Sequence, residues 1–307
     1  MKEGSSKHVR SKVSESQAAS NEVGPCRENS SILLHVIFDV QSRHPTKAVV
    51  SSQGVVIPCE KYKFSQAIEI GVEAISIGEK AFRDCLKLTS VVIPDSVTSI
   101  DQHAFFNCTG LISLELPASI VRAGDHSFDG CRGLTSVTIP NSVTSIGVSS
   151  FYGCRGLQSV LIPDSVTNIG DKAFEGCTSL TSVILPDTVC RLGYGAFISC
   201  SGLTSVVLPE SLTDIPGTTF AGCSGLESLV LPASLIRVGY DAFGGCSGLT
   251  SLVIPDTAIE LDPQAFLECF GLVCINAPER YLTAEYFPHT SPAALRTPVS
   301  VSDYVLK

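Results

Sequence analysis

Along most of this chain, apolar and polar positions alternate over a few residues, stop at a proline and start again. The segment Leu-Thr-Ser-Val-x-Ile, seen for example at Leu134–Ile139, alternates as a short strand must. Proline ends it by withholding an amide donor. A turn such as Asp164-Ser165 follows, and then Val166 and Ile169 read as inward anchors, with Gly170 at a bend. The stretch Lys172–Cys177 suits one or two turns of α or 3-10 helix with Ala173, Phe174 and Cys177 facing in. Glycine two residues after the cysteine (Gly156, Gly202, Gly225, Gly248) is expected to let the chain turn back to the next strand.

This pattern is strictly periodic. Cys85, Cys108, Cys131, Cys154, Cys177, Cys200, Cys223, Cys246 and Cys269 are each 23 residues apart. Phenylalanine stands three residues before each one (Phe82 to Phe266), leucine three after (Leu88 to Leu272) and proline nine after (Pro94 to Pro278). A period in the twenties predicts a solenoid. One 23-residue unit costs about 1.5 kcal/mol per residue to order. Its roughly eight inward side chains return about 2 kcal/mol each. A lone unit is therefore unstable, and stability has to come from stacking.

The units resemble the BspA-like leucine-rich repeats, with L-x-x-V-x-I-P strands and an A-F-x-G-C part, over about Ile68 to Pro278. The resemblance implies an α/β leucine-rich repeat solenoid: a curved right-handed arc, a parallel sheet on the concave side and short helical or 3-10 turns on the convex side. It also implies kinship with surface proteins and adhesins of bacteria and parasitic protists, and it brings no catalytic residues. The expected organisation is a disordered polar tail over 1–31, N-terminal capping strands over 32–67, the solenoid over 68–278, and a C-terminal cap with a loose tail over 279–307. Ile68-Glu69-Ile70 occupies the strand phase before the first cysteine, with Ala74 and Ile77 as anchors. Tyr281, Leu282, Tyr286 and Phe287 are candidates to cap the far end.

Composition narrows the function. The 307 residues are 44% hydrophobic and 17% charged, with a formal net charge of -9. The acidic body disfavours nucleic acid and anionic lipid as partners. No apolar run is long enough to span a membrane, and the first thirty residues lack the apolar core of a secretory signal. This points to a cytoplasmic protein without membrane insertion, with the cell surface as the alternative. Thirteen cysteines without a pairing pattern fit a reducing compartment. The nine periodic thiols are expected to be buried and reduced, because rungs on the outer side of a curved solenoid should splay beyond the roughly 7 Å reach of a disulfide.

The outward strand positions form three columns. Thr89, Ile112, Thr135, Gln158, Thr181, Thr204, Glu227 and Thr250 make the first, and serines from Ser90 to Ser251 make the second. The third runs Val92, Glu115, Thr138, Leu161, Ile184, Val207, Val230, Val253. Its five consecutive aliphatics, Leu161, Ile184, Val207, Val230 and Val253, are the candidate partner-binding strip. The competing explanation is strand propensity alone. Asp95, Asn141, Asp164, Asp187, Glu210 and Asp256 form an acidic edge, read either as a rim for a basic partner or as caps of local amides. Arg122, Arg191 and Arg237 share one loop phase and are expected to be solvated. His103 and His126 are expected on the exposed helical side. No Ser-His-Asp, H-E-x-x-H or G-x-x-x-x-G-K pattern occurs. The sequence therefore calls for no catalytic residue, no metal and no cofactor. The leading reading is a non-catalytic protein–protein interaction scaffold, and the alternative is a BspA-like cell-surface adhesin. The regular Thr column also raises an ordered-water surface, but Ile112, Gln158 and Glu227 interrupt it.

Overall fold

A computed structural model describes residues 45–257, 260–291 and 294–296. The expected tail over 1–31, the segment 32–44 and most of the chain after 291 lie outside the described residues. The described chain is a leucine-rich-repeat-like β-solenoid of about ten turns, and each turn is one 23-residue unit.

Each full turn has three sides. The first carries the expected strand, such as Ser136–Thr138 or Ser182–Ile184. These strands pair in parallel, residue on equivalent residue: Ser159 on Ser136, Val183 on Val206, Leu229 on Leu252. The second side carries a further parallel ladder of two-residue strands, such as Ser99–Ile100 and Asn168–Ile169. Seven of them form one sheet from Val55–Val56 to Arg191–Leu192, and three more form another from Asp214–Ile215 to Glu260–Leu261. The break falls at Pro216. The residues in its position elsewhere, Gly170 and Gly239, donate a backbone hydrogen bond to the previous turn, to Ile146 and Ile215. Proline has no such donor.

The third side corrects the helical expectation. The stretch around Phe and Cys is a run of turns, and the 3-10 helices of the described residues are at Glu60–Phe64, Glu279–Tyr281 and Ala294–Arg296, outside the nine Phe-to-Cys stretches. In each of these turns but the last, two residues four apart take left-handed backbone angles, for example Lys80 and Asp84, His103 and Asn107, Lys172 and Gly176. Such residues cannot continue a right-handed helix. They also re-aim alternate amides. Lys80, Phe82 and Asp84 donate across to Gln102, Ala104 and Phe106 of the next turn at 3.2, 2.7 and 2.8 Å. Ala81, Arg83 and Cys85 donate back three residues along their own turn.

The core follows from stacking. Phe82, Phe105, Phe128 and their equivalents to Phe266 form one column of rings with centroids 5.0 to 5.4 Å apart. Tyr62 extends the column at one end and Phe287 at the other. Thr46–Lys47 pairs in parallel with the strand at Ala67–Glu69, and Val55–Val56 with Ser76–Ile77, so both ladders continue upstream of Ile68. Tyr281 and Phe287 are buried after the last strand, Cys274–Asn276.

Candidate functional site

Strand alternation sorts the first side into core and surface. Val183 and Leu185 are buried, and Ile184 between them is 68% exposed. Leu161, Val207 and Val230 are also exposed, at 67%, 53% and 57%, and Val253 is half-buried. Pairing places Ile184 beside Val207 and Val230 beside Val253. Leu161 sits beside Thr138, and Val253 beside Asn276, so polar residues bound the strip at both ends.

The outward Thr column, and a separate serine column after the strand, have a structural use that the sequence did not reveal. Thr89, Thr135, Thr181, Thr204 and Thr250 each donate a side-chain hydrogen bond to a carbonyl of the previous turn. Ser119, Ser142, Ser165, Ser211 and Ser234 do the same at the corner between the two ladders. The spacing of 22 or 23 residues between donor and acceptor was the available signal.

The acidic edge lies three residues beyond the strip. Asp95, Asp164, Asp187 and Glu210 are exposed, and none of their carboxylates takes a hydrogen bond or ion pair among the described residues. Local amide capping therefore does not account for them. On the opposite, leading edge, Arg132 and Arg155 are exposed at equivalent positions of adjacent turns and are likewise unpaired. Arg122, Arg191 and Arg237 are on strands of the second ladder, not in loops. Arg237 meets Asp214 at 3.4 Å, a half-exposed pair that contributes little.

The periodic cysteines are buried and reduced. From Cys108 to Cys269 each thiol points at the carbonyl of the phenylalanine 26 residues earlier, for instance Cys177 on Phe151 at 3.3 Å. A small, weakly polar donor suits a site that is apolar apart from one carbonyl. Burial pushes Cys200 and Cys269 up to about 12 and raises Cys154, Cys177, Cys223 and Cys246 as well. The expected splaying of the rungs does not occur here, because the amides on this side bridge neighbouring turns directly. Burial and the cost of deprotonation, rather than distance, disfavour the thiolate at these positions.

His103 and His126 are half-buried and stack on each other with centroids 4.8 Å apart, instead of standing free in solvent. His126 Nδ1 lies 2.9 Å from Asp129 Oδ2. Burial, and secondly the neighbouring His126, hold His103 below the usual imidazole range. Among the described residues no group of three His, Cys, Asp or Glu side chains could hold a metal ion. No helix of the described residues is long and apolar enough to cross a membrane.

These repeats match the BspA type leucine rich repeat region, in six copies over residues 60–180 and 144–273. The chain belongs to that family. Leucine-rich repeat proteins of this kind are in general non-catalytic scaffolds. Among solved structures, a leucine rich cell surface protein from Faecalibacterium prausnitzii is 27% identical, with a TM-score of 0.48 over 68% of this chain and 59% of that one. The present chain thus spans under two thirds of that relative's length. A leucine rich repeat protein of T. pallidum is 26% identical, with a TM-score of 0.51 over 66% of this chain and 86% of that one. A leucine-rich repeat protein from Bacteroides ovatus is 20% identical, with a TM-score of 0.40 over 85% and 98%. No curated protein matches the chain.

Proposed function

We propose that this BspA-type repeat protein is a non-catalytic interaction scaffold. In this reading the first ladder lines the concave side of a right-handed arc, and a partner protein docks there on Leu161, Ile184, Val207, Val230 and Val253. The observation that carries it is the aliphatic column itself: four of the five side chains stand more than half exposed on strands whose alternate residues pack, wholly or in part, against the core. Strand propensity explains a valine in such a place, but a folded surface gains nothing from four large ones in a row. Adjacent rungs lie about 4.8 Å apart, so the strip is about 20 Å long, enough for the centre of a modest interface. Partners of this class are proteins, with neither nucleic acid nor membrane insertion involved.

Crosslinking and co-purification from the native cell identifies the partner. The double substitution Ile184→Glu/Val207→Glu then tests the face. It should abolish binding, because it buries charge against an apolar surface, and it should leave the unfolding midpoint unchanged. Binding equal to the parent's would place the site elsewhere. Membership of the BspA type also favours a second reading, a cell-surface adhesin instead of a cytoplasmic scaffold. Biotinylation of intact producing cells separates the two: labelling of the chain means surface display.

A further inference from the structure

The strip and its two edges together constrain what can lie on it. An occupant running along the strip crosses one rung about every 4.8 Å. An α-helix advances about 5.4 Å per turn, so an apolar side chain on each turn drifts by only about 0.6 Å per rung. A strand places same-face side chains about 6.6–6.8 Å apart and drifts by about 2 Å per rung. Over the four steps from Leu161 to Val253 the helix stays within about half a rung, while the strand loses register by more than a whole one.

Charge then sets the helix's flanks. Beside the same rungs, Asp164, Asp187 and Glu210 are exposed and unpaired, and no basic residue shares their edge positions. The opposite edge has the uncharged Gln158, Thr181 and Thr204, preceded by Arg155. With side chains a helix centred on the strip reaches about 5–6 Å to each side, and three residues of extended strand span about 10 Å, so long Lys or Arg side chains on its flank are the ones that approach that edge. We propose that the occupant of the strip is a basic amphipathic α-helix. It lies along Leu161–Val253 with about one apolar side chain per rung, and its Lys/Arg flank covers Asp164, Asp187 and Glu210. This rests on the strip being the docking face.

The test uses the full chain and a fluorescent synthetic helix of four to five turns with leucines along one side and lysines along one flank. Companion peptides carry glutamate or glutamine on that flank, carry a central proline, or scramble the order. Anisotropy titrations should show the lysine helix binding at least about tenfold more tightly than the glutamate helix, with the gap shrinking in high salt. The triple variant Asp164→Ser/Asp187→Ser/Glu210→Ser should bring the lysine and glutamine helices within about twofold of each other. If the glutamine and lysine helices bind the parent equally while Ile184→Glu/Val207→Glu loses both, the strip stands and the basic flank is overturned. If that double variant binds the lysine helix as the parent does, the docking face itself is wrong. Equal binding of the proline-broken peptide makes the occupant extended, and equal binding of the scrambled peptide reduces the effect to non-specific charge. Either result overturns the helix, as does failure of every peptide to bind.

Discussion

Two sides of the same turn can be compared residue for residue, because both repeat at the same spacing. On the turn side, phenylalanine fills nine consecutive positions, and the rings from Phe151 to Phe266 lie within 7° of parallel. On the strand side, the equivalent column runs Val92, Glu115, Thr138, Leu161, Ile184, Val207. Both sides are hydrogen-bonded from turn to turn. They differ in burial: Phe174 is wholly inaccessible and Ile184 is mostly exposed. A ring that must match the rings above and below it has no freedom to change, while a side chain in solvent is constrained only by its partner. The repeat thus assigns cohesion to the turn side and leaves the strand side free for the proposed recognition.

The largest test of that division is Phe174→Ala. It opens a cavity between two rings that lie 5.3 and 5.2 Å away. The expected loss is about 3–5 kcal/mol in denaturant titration, shared with neighbouring turns because they have one core. Thr181→Ala gives up an exposed, 3.4 Å bond to Gln158 and should cost less than about 0.5 kcal/mol. Equal losses would erase the distinction between the two sides.

Much of this was legible in the sequence, and the reasons are specific. Strand phase, inward columns and the exposed strip follow from alternation over Leu180–Leu185 and from strict repetition. The second ladder was hidden because its strands, such as Ser99–Ile100, are two residues long, too short for alternation to register. The turn side reads as helical in sequence because Lys172, Ala173, Phe174 and Cys177 carry no signal against a helix. The left-handed angle at Lys172 is imposed by the amides of the stack, not by a glycine. In sequence Gly156 suggests a turn, whereas in the fold it is needed because a Cβ there would stand 2.5 Å from the Arg132 carbonyl. The strip itself leaves no trace in the fold, since none of its aliphatic side chains hydrogen-bonds the neighbouring turns.

A smaller effect tests whether every part of the buried side is well matched. In the column Ala81, Ala104, Ser127, Ser150, Ala173, two serines replace alanine. Ser150 Oγ donates to the Gly147 carbonyl at 2.6 Å, while Ser127 is fully buried with its hydroxyl unpartnered. Ser127→Ala should therefore stabilise the protein by about 1–2 kcal/mol, and Ser150→Ala should be neutral or destabilise by about 1 kcal/mol. Stabilisation by both, measured as shifts in midpoint at constant slope, would show that the Ser150 bond is worth nothing.

The finest test concerns the second left-handed position of the turn. Glycine occupies it at Gly130, Gly153, Gly176, Gly222 and Gly245, and Glu268 occupies it near the end of the array at φ 58°. Glu268 is exposed and raises the neighbouring Asp241 carboxyl, after burial has done the larger part. Its side chain therefore brings nothing that offsets the cost of a left-handed angle, which for an ordinary residue is about 1–2 kcal/mol. Glycine loses some of that gain through its freer unfolded chain. Glu268→Gly should accordingly stabilise by about 0.5–1 kcal/mol. The reverse change, Gly176→Ala, meets only Gly153 atoms at 3.7 and 3.8 Å, ordinary contact distances. It should cost about the same amount through backbone angle alone. If Gly176→Ala were free while Phe174→Ala kept its large cost, the rings alone would hold the turn side together and the left-handed residues would be passengers of the stack.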